Sequence, residues 1–193
     1  MKYLPMLIIY TFFTELLGYF IKFSDEYQFF SDERYNWHNV VIFNIYQMAF
    51  FLFFFGVFHK VTKDPRIKKW ISMGRVACVL IYLADALWHN PLHQQLTYAH
   101  IVVSLMLVVV LVLYFREKHL EENPISLKYN LMFWVSMGLL IFYSIFPLIL
   151  IAYKLDLNLG AYIYLRPILI CLIVSMYSCM ITGLLIGKRK AFR

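Results

Sequence analysis

Apolar residues in this chain fall neither in strict alternation nor in one helical stripe, but in long runs separated by short polar stretches. About 20 predominantly apolar residues carry a helix across the hydrocarbon core of a bilayer. By that measure the runs predict six spanning helices, near 3–22, 38–58, 70–89, 91–115, 130–152 and 163–187. Trp37, Trp70, Trp88, Tyr114, Tyr153 and Tyr162 stand at run ends, where amphipathic rings collect in membranes. The expected fold is all-α: a polytopic membrane protein that occupies residues 1–193 as a single transmembrane domain. Its six helices are expected to form three tandem helical hairpins. The first run is too long for a cleaved leader, Glu15 interrupts it, and no small-x-small site precedes Phe23, so it is expected to remain a helix.

Composition agrees with this reading. With 62% hydrophobic and 15% charged residues and a mean hydropathy of +0.68, an ordinary soluble domain is excluded. A net charge of +7 raises the question of nucleic acid, but the basic residues gather between the runs rather than along one face. They orient helices instead. The N-terminus, segments 59–69 and 116–128 and the C-terminus hold thirteen lysines and arginines, against three in segments 22–37, 90–96 and 153–162. The positive-inside rule therefore places both termini in the cytoplasm. Only Arg75 and Arg166 lie within runs; Arg75 stands about a turn and a half inside the third, close enough to snorkel to the interface. The tail GKRKAFR reads as the anchor of the last helix, and Cys78, Cys171 and Cys179 read as small buried hydrophobes. The phenylalanines of FFLFFFGVF (50–58) are expected to face lipid.

A weak internal repeat runs through the chain. WISMG at 70–74 is echoed by WVSMG at 134–138, and His38-Asn39-Val40-Val41 by His100-Ile101-Val102-Val103. The offsets of 64 and 62 differ by a two-residue loop insertion. A two-helix period preserves orientation, as in a parallel repeat of hairpins.

Candidate chemistry concentrates at LADALWHNPLHQQLTYAH (83–100), which holds three of the six histidines. Asn90 followed by Pro91 is a helix-start signal, predicting a very tight hairpin at 89–91. On one side Cys78, Tyr82, Asp85 and His89 share a helical face; on the other His93, Thr97, His100 and Ser104 do. Asp85 and His100 then fall at about the same depth, roughly 7 Å inside the outer boundary. Glu15, with Thr11 and Tyr19 a turn either side, lies deeper, and Asn44 and Gln47 share a face of the second helix. His38 and Arg166 stand at the outer mouths of the second and sixth helices, and Pro147 is expected to kink the fifth. A carboxylate in lipid is costly, so Glu15 and Asp85 are expected to face the bundle interior and to need a partner or a proton.

Three readings of this constellation stay open. Glu15, His38, Asn44, Gln47, Asp85, His100 and Arg166 line an outward-facing polar pocket for binding, sensing or passage of a small polar solute or ion. Alternatively Asp85, His89, His93 and His100 ligate a metal, zinc by their donor types, as in a membrane-embedded metal-dependent hydrolase acting at hairpin 85–100. In the third reading an Asp85–His100 hydrogen bond ties two helices together, in a non-catalytic subunit or scaffold of a membrane complex. His38 and His100 are also the types that ligate haem. No P-loop, GxSxG, CxxC or HExxH signature occurs, and no lysine in the last span suits a retinal Schiff base.

The runs YNWHNVVIFNIYQMAFFLFFFGVFHKV and LMFWVSMGLLIFYSIFPL resemble an uncharacterised family of small, aromatic-rich six-helix inner-membrane proteins of Gram-negative bacteria. The likeness is best over the second and fifth helices. It implies a bacterial inner-membrane setting, with the lipid bilayer as partner and oligomers allowed. It transfers no activity and no catalytic residue.

Overall fold

The computed structural model describes residues 4–23, 39–120, 127–155 and 159–187, and all regular structure among these described residues is helical. Six helices follow in order: α1 Leu4–Phe23, α2 Asn39–Val61, α3 Pro65–Trp88, α4 Thr97–Leu120, α5 Leu131–Lys154 and α6 Leu159–Ile186, with a 3₁₀ turn at Leu127–Tyr129 before α5. Over Val40–Val61, Pro65–Trp88, Thr97–Leu120, Leu131–Ala152 and Pro167–Ile186 the chain is long and apolar enough to cross a membrane. A helix lies over each expected span, five of them long and apolar enough to cross, but the ends move by up to several residues, and at the start of α3 capping chemistry and not hydropathy sets the boundary.

The start of α3 shows why. Asp64 accepts the Arg66 N–H through Oδ1 at 2.7 Å and Pro65 opens the helix, so α3 begins five residues before the apolar run does. Asn130 caps α5 in the same way, accepting from Met132 N at 2.9 Å. Trp134 Nε1 then donates to Lys128 O at 2.7 Å and ties the first turns of α5 to the 3₁₀ turn.

The chain divides into two compact units, Met1–Val103 and Ser104–Arg193. In the first, α2 packs on α1 and on α3. Thr11 and Tyr46 share a hydrogen bond of 2.9 Å across the α1–α2 contact, where the Tyr10 and Tyr46 rings also meet. The aromatic run of α2 does not face lipid as expected. Phe51, Phe54, Phe55 and Phe58 are buried, with ring centroids 4.7 Å apart for Phe50–Phe54 and 6.4 Å for Phe54–Phe58. Lipid is as apolar as phenylalanine, so hydrophobicity does not choose the face; close packing of stiff rings does.

In the second unit α5 packs on α6 through glycine. A Cβ at Gly138 would lie 2.8 Å from the Met176 carbonyl oxygen, and one at Gly183 would lie 2.7 Å from Trp134 Cβ. The two helices approach as closely as backbones permit, the usual device where no water-driven force acts between helices. The sequence repeat is visible here in part: Ile71 and Val135 are fully buried, as are Gly74 and Gly138, whereas Ser72 is exposed and Ser136 buried. Of the cysteines only Cys78 is the buried hydrophobe expected; Cys171 is exposed and Cys179 half-buried.

Candidate functional site

The polar groups of the first unit converge where α3 ends, the chain turns, and α4 begins. Asn90 acts as the helix-start signal predicts, but for one turn only. Its Oδ1 accepts the Leu92 N–H at 3.0 Å and its carbonyl accepts from His93 N and Gln94 N. The turn goes no further because Asn44 of α2 intercepts it. Asn44 Nδ2 donates to the carbonyls of Pro91, at 2.9 Å, and Gln94, at 3.0 Å, while Oδ1 accepts the Leu96 N–H at 3.0 Å. One buried amide therefore pairs three backbone groups that a continuing helix would have paired internally. The helix consequently starts at Thr97 rather than Pro91.

This late start leaves α4 with a deficit that Asp85 makes good. The His100 N–H bonds to the Leu96 carbonyl, which makes Leu96 the N-cap residue, and leucine has no side-chain acceptor to offer. Asp85, near the end of α3, supplies one: its Oδ2 accepts the Ala99 N–H at 2.8 Å. A carboxylate at a helix N-terminus is also favoured by the helix dipole. The cost of a buried acid is thereby offset within the fold.

The other oxygen of Asp85 faces His89. Oδ1 lies 2.7 Å from His89 Nδ1, and since the carboxylate only accepts, the imidazole donates from Nδ1. Nε2 is the ring's other nitrogen, free to face outward. Asp85 is buried, whereas the His89 side chain is 31% exposed. The ring leans on Tyr98, centroids 5.4 Å apart. An inner carboxylate fixing the tautomer of an outer histidine is the arrangement that prepares Nε2 to take a proton, a polar solute or a metal ion.

The remaining predicted residues are distributed as follows. His100 is buried and its ring meets Phe51 edge-on, centroids 5.2 Å apart; the partner of Asp85 is His89 and the Ala99 amide, not the His100 side chain. Gln47 Oε1 is buried and takes no hydrogen bond among the described residues. His93 is exposed in the turn. Of the four metal ligands expected, Asp85 and His89 are brought together; among the described residues no three His, Cys, Asp or Glu side chains group to hold an ion. Glu15 and Arg166 lie in α1 and α6 with side chains outside the described set, and His38 lies outside the described residues altogether. Tyr98 was missed by the sequence reading, although its spacing from the turn was the available signal.

Comparison with known proteins returns nothing: no family model, no curated protein and no solved structure matches the chain.

Proposed function

We propose that this chain is a multi-pass protein of a bacterial inner membrane, built of three tandem hairpins with both termini cytoplasmic, that binds a small polar solute or ion at its outer rim. His89 Nε2 is the contact atom and Asp85 its positioning residue. The observation that carries this reading is the 2.7 Å Asp85–His89 pair, buried at the carboxylate and open at the imidazole. The excess of basic residues in alternate connections supports the orientation, which puts the 89–96 turn outside. Asn44 has a supporting part, since it holds the turn that flanks His89.

The test uses the purified chain with ¹⁵N-labelled histidine, titrated separately with acetate, phosphate, ammonium and zinc. At least one of these is expected to shift the His89 resonances saturably. The same ligand is expected to raise the thermal unfolding midpoint of the wild type but not of His89→Gln, and the His89 shift to weaken about tenfold in Asp85→Asn, the loss usual when a group that orients a ligating histidine is removed. A wild-type protein indifferent to all four would overturn the proposal. Zinc alone, bound one per chain, would instead establish the metal-site reading of the 85–100 hairpin.

A further inference from the structure

The opposite end of α3 carries a second feature, independent of the His89 site. Trp70 and Trp88 are 68% and 79% exposed and stand eighteen residues apart, five full turns, on one line of the helix. The separation is about 27 Å, close to the hydrocarbon thickness of a bilayer, so the two indoles mark the two interfacial levels on α3. Arg75 lies five residues inside Trp70, about 7 Å deeper along the axis. It is exposed, and neither a hydrogen bond nor an ion pair joins it to another described residue. A guanidinium facing hydrocarbon at that depth is expensive without a counter-charge.

Helical side chains tilt toward the N-terminus, so Arg75 leans toward the Trp70 level, which its long stem reaches. On the same flank, at offsets of three and seven residues, stand exposed Ser72 and half-buried Lys68. Two cations and a hydroxyl thus descend one side of α3, beginning at the level where lipid phosphates lie. Guanidinium pairs with phosphate through two parallel hydrogen bonds, and an ammonium adds a point charge. We propose that Arg75, Ser72 and Lys68 hold the phosphate of an anionic phospholipid in the leaflet beside the 62–64 connection.

The full chain would be reconstituted in phosphatidylcholine vesicles with spin-labelled phosphatidylglycerol or, separately, spin-labelled phosphatidylcholine, and the motionally restricted fraction measured. The wild type is expected to prefer phosphatidylglycerol. Arg75→Gln is expected to lower that preference about fivefold, Lys68→Gln to lower it comparably, and Arg75→Lys to keep most of it. Lys69→Gln removes an exposed charge about 100° round the helix from Lys68, off the flank that carries Arg75 and Ser72, and is expected to change it little. An unchanged preference in Arg75→Gln overturns the site. So does an equal loss in Lys69→Gln, which would make the effect diffuse surface charge, and so does displacement of the labelled lipid by inorganic phosphate, which would make the ligand a free anion.

Discussion

Asn44→Ala is expected to lower the apparent unfolding midpoint of the detergent-purified protein by about 5–10 °C. The substitution removes one side chain but leaves three backbone groups, Pro91 O, Gln94 O and Leu96 N, without partners. At roughly 1 kcal/mol for each bond, somewhat less where lipid is the alternative environment, the cost is about 2–3 kcal/mol. A near-isosteric variant separates hydrogen bonding from packing. Asn44→Asp keeps an acceptor for the Leu96 amide but presents a second acceptor to two carbonyls where Asn presents a donor. It should therefore be at least as damaging as alanine despite its better shape. Asp tolerated as well as Asn would mean that the amide does not hold the turn.

Gly138→Val is expected to cost about 3 kcal/mol, while Gly56→Ala is expected to gain about 0.5–1 kcal/mol. Both glycines lie inside apolar helices, and sequence alone does not tell them apart. The structure does. A Cβ at position 138 meets a backbone oxygen at 2.8 Å, which cannot rotate away, so α5 and α6 must separate along their contact. A Cβ at position 56 meets nothing within 4 Å, so alanine there only reduces the freedom of the unfolded chain. Unfolding of the two variants in detergent would show shifts of opposite sign. Two shifts of the same sign would contradict the glycine contact between α5 and α6.

The helices were legible in the sequence because each apolar run is near the length a bilayer demands. Their faces were not. In α2 nearly every position is apolar, so no periodicity marks which phenylalanines turn inward, and the buried set at 50, 51, 54, 55 and 58 is decided by ring packing. The cluster at the 83–100 hairpin was legible as a concentration of ionisable groups in a chain poor in them. The wiring was not. Asp85 bonds the amide beside His100, so the partner is a backbone N–H, and almost every residue type carries one. The Asn90-Pro91 signal was read as the start of α4, whereas the chain makes one hydrogen-bonded turn there and the helix begins at Thr97. What ended that turn was Asn44, at least 47 residues away in sequence from the carbonyls it captures, and no local rule reports such a contact.

The cap that Asp85 places on α4 also imposes an order in time. The carboxylate is made fourteen residues before the amide it serves. At about 5–20 residues per second on the ribosome, that gap lasts about one to three seconds. For most of it, once Trp88 is made, α3 is complete and carries near its end a carboxylate whose amide partner on α4 has not been made. The missing N–H arrives only with its successor, so the end of α3 and the start of α4 complete each other's hydrogen bonding no earlier than the synthesis of Ala99.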